Sequence, residues 1–133
     1  MSRQDVRDQA ERLARPGSAV RCIDDGENVV VVIEPFTPPN SEAYLPPKFE
    51  ALAFTVPSLF PDASPDPTGF FVKPAGISVA ATGGEPRSTG LSPLLNEQWR
   101  KFSWSPKTFK WDPEQDTLAT HLATIETRFR RGD

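Results

Sequence analysis

The hydrophobic positions near the C-terminus have the clearest periodicity in the chain. Four apolar residues follow one another at spacings of four, three and four: Leu118, Leu122, Ile125 and Phe129. This spacing predicts an amphipathic helix whose apolar face packs against another layer of the fold. Asp112 is a candidate N-cap with Pro113 at the first helical position, and the arginines between residues 128 and 131 suit the negative end of the helix dipole.

A second helix is predicted over residues 2–15. Valine, alanine and leucine recur there at helical spacing, and the Ser2-x-x-Asp5 start resembles a capping box. Pro16 and Gly17 follow as a helix stop signal. Since most of the remaining positions are polar or charged, we expect this helix to lie on the surface.

Four segments between the helices have the composition of β-strands. They cover residues 19–24, 28–33, 49–56 and 69–72. The second is an unbroken β-branched run, and the turn signal Asp25-Gly26 joins it to the first as a hairpin. Residues 75–95 lack periodicity and predict a long surface loop. The predicted fold is α+β: an N-terminal helix, a four-stranded antiparallel meander, a long loop, and a C-terminal helix packed on the sheet.

The overall composition limits the classes of function. At 133 residues and 37% hydrophobic, the chain is expected to fold as a single domain over residues 1–133. The formal net charge of -3 argues against a nucleic-acid partner. The single cysteine, Cys22, excludes an internal disulfide, and no apolar run is long enough for a signal peptide or a membrane span. These features favour a soluble, reduced, cytoplasmic protein.

Two segments have distinctive spacing of proline and aromatic residues. They are Phe60–Pro67, which reads FPDASPDP, and Trp111-Asp112-Pro113. They resemble the Tyr-Pro-x-x-Pro-Pro and Trp-x-Pro motifs of the ubiquitin-conjugating enzymes, the first with inserted residues. The resemblance spans nearly the whole chain and is greatest for the divergent bacterial branch of that superfamily. It implies a UBC-like (ubiquitin-conjugating) fold and a role as acyl carrier for a ubiquitin-like modifier protein.

The resemblance also points to a candidate nucleophile. The family's catalytic cysteine lies about eight residues before the Trp-x-Pro, and here that position is Ser103. No cysteine follows Cys22, which we expect to be a small apolar residue of the first strand. The resemblance thus implies that Ser103 accepts the modifier as an oxyester, with Asn96 stabilising the oxyanion. The alternative is that Ser103 is a turn residue between two aromatic anchors.

A serine in this role needs an activating base, because its hydroxyl alone is a weak nucleophile. The candidates by proximity in the sequence are Asp112, Asp116 and His121. His121 flanks the apolar stripe of the predicted helix, where a structural role is favoured over a catalytic one. The three tryptophans are likewise expected to be core or loop residues. No cofactor, metal or nucleotide site is predicted.

Two protein partners follow from the resemblance, the ubiquitin-like modifier and the enzyme that activates it. In the family the N-terminal helix helps to recruit the activating enzyme. Four arginines in the predicted helix would suit an acidic partner surface: Arg3, Arg7, Arg12 and Arg15. A rival hypothesis is a catalytically inactive binding module, which holds a ubiquitin-like protein or an extended peptide non-covalently. The absence of the family's cysteine is its main support.

Overall fold

The computed structural model describes residues 3–91, 98–104 and 110–133. Its elements are α1 (Arg3–Glu11), β1 (Ala19–Asp25), β2 (Asn28–Glu34), β3 (Tyr44–Leu45), β4 (Ala51–Val56), β5 (Gly69–Lys73), β6 (Ser78–Val79), β7 (Thr89–Leu91), β8 (Arg100–Ser103) and α2 (Leu118–Arg130). The arrangement is α+β, in agreement with the predicted class, and is consistent with a UBC-like fold. None of the helices in these residues is both long and apolar enough to cross a lipid bilayer.

Six strands form one antiparallel sheet in the order β1-β2-β4-β5-β8-β7. The first four are the predicted meander, so that prediction is confirmed. Strands β7 and β8 extend the sheet beyond β5, while β3 and β6 pair separately. The prediction of a loop over residues 75–95 is therefore wrong for β6 and β7. Strands of two and three residues are too short to show periodicity, and they form because strands from elsewhere in the chain satisfy their hydrogen bonds.

Helix α2 packs on one face of the main sheet through its apolar stripe. All four residues of the stripe are buried, which confirms the helix predicted from their spacing. Phe129 is surrounded by five aromatic rings whose centroids lie 5.3 to 6.1 Å from its own: Phe36, Tyr44, Phe49, Phe70 and Phe102. The Tyr44 hydroxyl also donates a hydrogen bond to the Phe129 carbonyl oxygen at 3.3 Å. This cluster ties α2 to strands β3, β5 and β8.

Helix α1 contacts the first turn of α2. The Gln9 side chain accepts a hydrogen bond from the Leu118 N–H at 3.0 Å, which satisfies one of the N–H groups that a helix start leaves open. Helix α1 ends at Glu11, earlier than predicted. The N–H groups of the next three residues bond to carbonyl oxygens three residues back, and not four as in an α-helix, so the chain forms tighter turns there. Ser2, the start of the predicted capping box, lies outside the described residues.

The start of α2 corrects a further prediction. The helix begins at Leu118 with Thr117 as its N-cap, and not directly after Asp112. The Asp112 carboxylate instead accepts a hydrogen bond from the Glu114 N–H at 3.0 Å, and the Asp112 N–H donates to the Asp116 carboxylate at 2.7 Å. This segment closes a turn of its own, because short acidic side chains can bond to backbone groups close in sequence.

Candidate functional site

Ser103 is the last residue of β8, and it is exposed. Its N–H donates to the Ser88 carbonyl oxygen at 2.9 Å, and it pairs with Gly69 of β5. A side chain at Gly69 would collide with the Phe102 carbonyl oxygen, so glycine allows the close approach of these two strands. The backbone of Ser103 is thus held in the sheet. Asn96, the predicted oxyanion residue, lies outside the described residues.

The Ser103 side chain points away from α2. Neighbouring residues of a strand point to opposite faces, and Phe102 is buried in the core that α2 covers. The three candidate bases have other surroundings. Asp112 and Asp116 bond to backbone groups of their own turn, and His121 Nε2 has no hydrogen-bond partner in the described part of the chain. None of the three is hydrogen-bonded to Ser103 in the described part of the chain.

His121 is buried on α2. Only 8% of the residue is exposed, and its ring meets Phe54 edge-on with 4.9 Å between centroids. Burial disfavours the charged imidazolium and lowers the pKa of His121 from 6.5 to about 4, although the Asp66 carboxylate opposes this shift. The ring is therefore neutral at pH 7. An imidazole with so low a pKa is a weak general base.

A cavity of about 110 Å³ lies between α2 and the Pro-rich segment; we call it the α2 cavity. Its walls are the loop 64–67, the start of β5, Trp104 and Trp111, and His121 and Thr124 of α2. Two buried nitrogen atoms of these walls, Trp104 Nε1 and His121 Nε2, have no hydrogen-bond partner among the described residues. The α2 cavity is concave and mostly apolar with a few polar side chains in its walls, which is the usual form of a binding site, so it is a candidate for one.

Trp111 brings the two motifs of the sequence into contact. Its indole Nε1 donates to the Pro61 carbonyl oxygen at 2.6 Å, and its ring centroid lies 5.7 Å from that of Phe60. The Trp-x-Pro segment is thereby fixed against the Pro-rich segment. The two segments that carry the resemblance form one structural unit, which borders the α2 cavity.

Trp111→Phe is expected to lower the free energy of unfolding by about 1 kcal/mol, because it removes this hydrogen bond to the Pro61 carbonyl. Equilibrium urea unfolding at pH 7 measures the loss. Trp104→Phe is the matched control, since the same ring is reduced in size but no hydrogen bond to another described residue is removed. Equal losses in the two variants would mean that ring size, and not the hydrogen bond, determines the effect.

Cys22 lies far from this region. It is half-buried in β1, which three strands separate from β8, a distance of about 19 Å at ~4.8 Å per neighbouring pair. Burial raises the pKa of its thiol, which makes the nucleophilic thiolate scarce at pH 7. Within the described ranges, no three His, Cys, Asp or Glu side chains form a group that could hold a metal ion.

The α2 cavity was not predicted from the sequence. The tryptophans were expected to be core or loop residues, and Trp104 does pack against the main core while also lining the cavity. The only signal in the sequence was the single histidine on the flank of the apolar stripe. The segment 64–67 that closes the cavity comes from a different part of the chain, so sequence spacing could not bring these residues together.

Comparison with protein families gives a match over most of the chain. Residues 6–131 match the family described as Prokaryotic E2 family E. No curated protein and no solved structure matches the chain. The matched range includes both motifs and every strand of the two sheets. Because the match covers nearly the whole chain, the chain belongs to prokaryotic E2 family E, a bacterial family of E2-like proteins.

Proposed function

We propose that the chain is an E2-like module that holds a ubiquitin-like modifier non-covalently. Membership of the family supports a role in a ubiquitin-like conjugation pathway, in which E2-like proteins interact with a modifier and its activating enzyme. The observation that favours non-covalent binding is the environment of Ser103. Its side chain points to the sheet face opposite α2, and no candidate base contacts it in the described structure.

The chemistry of acyl transfer explains why this observation matters. A thiol with a pKa of about 8.5 is partly ionised near neutral pH, whereas a serine needs a base within roughly 2.6 to 3.2 Å to become nucleophilic. The chain has no cysteine after Cys22, so a thioester cannot form at the family's position. A non-covalent role requires no activated nucleophile and is compatible with every contact described for Ser103.

An oxyester carrier is the second candidate function, which the exposure and spacing of Ser103 favour. Ser103 lies eight residues before Trp111 and is open to a large partner. In this role Ser103 Oγ forms an ester bond with the activated C-terminal carbonyl carbon of the modifier. The leaving group of that carbonyl departs, a base takes the hydroxyl proton, and Asn96 donates a hydrogen bond to the oxyanion.

The N-terminal helix is the proposed docking surface for the activating enzyme. Of the four arginines predicted for this helix, Arg12 and Arg15 lie beyond its end at Glu11, and Arg7 and Arg15 form ion pairs within the chain. Arg7 lies 3.1 Å from the Asp24 carboxylate, and Arg15 forms two hydrogen bonds with Glu126, at 2.9 and 3.0 Å. The Arg12 side chain is exposed and is therefore available to pair with an acidic residue of the partner.

Intact mass and calorimetry together separate the two functions. Wild type, Ser103→Ala and Ser103→Cys are each incubated with the cognate activating enzyme, the modifier and ATP. Titration calorimetry measures modifier binding in parallel. We expect all three proteins to bind the modifier with affinities within about threefold, and neither wild type nor Ser103→Cys to form an adduct.

A hydroxylamine-sensitive adduct that is lost only in Ser103→Ala would overturn the non-covalent proposal and establish the oxyester carrier. Ser88→Ala is the matched control. Ser88 is a second exposed serine, in the turn before β7, and its carbonyl oxygen accepts the Ser103 N–H, so its substitution changes the local surface without removing the candidate nucleophile. An adduct lost in both alanine variants would mean that the local surface, and not the Ser103 hydroxyl, is required.

A further inference from the structure

We propose that Arg87, Arg128 and Arg131 form a binding site for a carboxylate of a bound chain, a site that the protein's own Asp133 occupies in this structure. We call the three residues the arginine cluster. The inference rests on the proposed function for one point, that the modifier is the chain that supplies the carboxylate. The site itself is defined by contacts within the protein, and it is tested without the modifier.

The Asp133 side chain lies among three guanidinium groups. Its carboxylate oxygens are 3.3 Å from Arg128 and 3.4 Å from both Arg87 and Arg131. The arginines come from different elements: Arg87 lies just before β7, Arg128 in the last turn of α2, and Arg131 directly after that helix. The fold therefore gathers three positive charges around one carboxylate.

The arginine cluster has more positive charge than Asp133 neutralises. Guanidinium groups stay charged at neutral pH, and Asp133 is the one carboxylate that pairs with these three in the described part of the chain. Arg128 depends most on a partner, since its side chain is only 2% exposed. Burial lowers the pKa of Arg128, and Tyr44 and Asp133 oppose this shift. An anion at this position thus stabilises a buried charge, and two further positive charges attract it.

The position that the carboxylate occupies is open to solvent. The side chains of Arg87 and Arg131 are 73% and 46% exposed, and that of Asp133 is 33% exposed. Arg128 is buried, but it contacts the Asp133 carboxylate and would also contact a carboxylate that replaced it. A ligand can therefore enter from the solvent when the Asp133 side chain moves out.

Asp133 is held by long contacts. Hydrogen bonds between a guanidinium and a carboxylate are typically about 2.7 to 2.9 Å long, whereas those of Asp133 are 3.3 to 3.4 Å. Asp133 lies two residues after Arg131 and five after Arg128, so the short connection limits how its carboxylate can turn. A carboxylate on a separate chain has no such tether and can form two parallel hydrogen bonds with one guanidinium. Asp133 is therefore an occupant that a free carboxylate can replace.

The arginine cluster is connected to the end of β8, where Ser103 lies. The Arg131 guanidinium carbon is 5.6 Å from the centroid of the ring of Trp104, the residue after Ser103. Arg87 directly precedes Ser88, whose carbonyl oxygen accepts the Ser103 N–H. A modifier that is held non-covalently keeps a negatively charged C-terminal carboxylate, whereas an ester has no charge there. A cationic site next to this strand end suits the non-covalent function.

Nuclear magnetic resonance tests the site on the full chain labelled with 15N. The probe is N-acetylglycylglycine, which has a free carboxylate, and its C-terminal amide is the matched control ligand. Both are titrated at constant ionic strength. We expect the acid to shift the backbone signals of residues 87–89 and 131–133 in a saturable way, and the amide to leave them unchanged. Asp133→Asn should bind the acid roughly fivefold or more tightly than wild type, because the internal competitor has lost its charge.

The arginine variants are made in the Asp133→Asn background. Arg131→Gln should weaken binding of the acid by roughly tenfold or more, the effect of losing a hydrogen bond to a charged group. Arg130→Gln is the matched control, because it removes the same charge from an exposed neighbouring arginine whose side chain forms no ion pair among the described residues. Arg87→Gln serves if Arg131→Gln does not fold.

A second peptide distinguishes a C-terminal carboxylate from an acidic side chain. N-acetylglycylglutamylglycinamide has a glutamyl carboxylate and an amidated C-terminus. We expect it to bind no more tightly than N-acetylglycylglycine. Tighter binding would assign the site to an acidic side chain of a partner and overturn the C-terminus of the modifier as the ligand.

Equal binding of the acid and its amide would overturn the carboxylate site, and equal binding of the acid to wild type and Asp133→Asn would overturn the role of Asp133 as occupant. Calorimetry with the modifier separates these failures from failure of the proposed function. Modifier binding that is unchanged in Arg131→Gln would overturn the modifier as the ligand of the arginine cluster and keep the proposed function. Probe binding without modifier binding would reject the proposed function and keep the site.

Discussion

Phe129→Ala is expected to lower the free energy of unfolding by about 3 to 5 kcal/mol, the range for removing a fully buried aromatic side chain. Phe129 has no exposed surface, and five other aromatic rings surround it. These rings come mainly from strands that are hydrogen-bonded to their neighbours, so they cannot move together to fill the space. A loss of this size is a large part of the roughly 5 to 15 kcal/mol that stabilises a typical domain.

Urea unfolding followed by tryptophan fluorescence measures this effect. Leu59→Ala is the control, because Leu59 is a large apolar residue that is 70% exposed and should change stability by less than about 0.5 kcal/mol. A loss below about 1.5 kcal/mol for Phe129→Ala would mean that the aromatic cluster collapses around the missing ring. The C-terminal half of α2 would then contribute less to holding the sheet than its burial indicates.

When the pH falls from 6.5 to 4, the free energy of unfolding is expected to decrease in wild type and in His121→Phe. The decrease should be up to roughly 3 kcal/mol larger in wild type. The pKa of His121 is about 4 in the folded protein, against 6.5 for the ordinary value. Between these two pH values the unfolded chain binds a proton that the folded protein does not. Protons therefore stabilise the unfolded state, and stability falls as pH falls through this window. Well above pH 6.5 the histidine is neutral in both states and makes no pH-dependent contribution.

The comparison of the two proteins isolates the histidine. His121 is the only histidine of the chain. All other titrating groups are the same in the two proteins, so their effects cancel in the comparison. Phenylalanine preserves the edge-on contact with Phe54, and the α2 cavity gives the larger ring room. Unfolding free energies at pH 7, 6.5, 5 and 4 give the two curves. Parallel curves of unfolding free energy against pH would mean that the pKa of His121 is the same in the folded and the unfolded protein.

The periodic segments were predictable because their patterns are local. The stripe of α2 and the four meander strands have enough residues to show a helical period or a β-branched run, and each is found where the pattern places it. Element boundaries were less predictable. Asp112 has the chemistry of an N-cap, but it closes a separate turn, and Thr117 takes the cap position. Asp112 and Thr117 both have side chains that can cap the start of a helix. The hydrogen bond from the Leu118 N–H to Gln9 of α1 favours the observed start at Leu118.

The short strands could not be predicted, for a different physical reason. β6 and β7 have two and three residues, and neither has a periodic pattern of its own. Each exists because a partner strand accepts and donates its backbone hydrogen bonds: β3, far back in the chain, for β6, and β8, the next strand, for β7. β8 is the strand that places Ser103 at the end of the sheet, so the setting of the candidate nucleophile depended on the same long-range pairing.

The sequence by itself determined the α+β class, the helix that covers the sheet, and the motifs that relate the chain to ubiquitin-conjugating enzymes. It also determined that the single cysteine, Cys22, lies well before both motifs in the chain. Only the tertiary structure decided which face Ser103 lies on and which residues meet at the α2 cavity. Sequence spacing fixes distances along one element, whereas Trp104, His121 and the segment 64–67 come together only when the sheet and α2 pack.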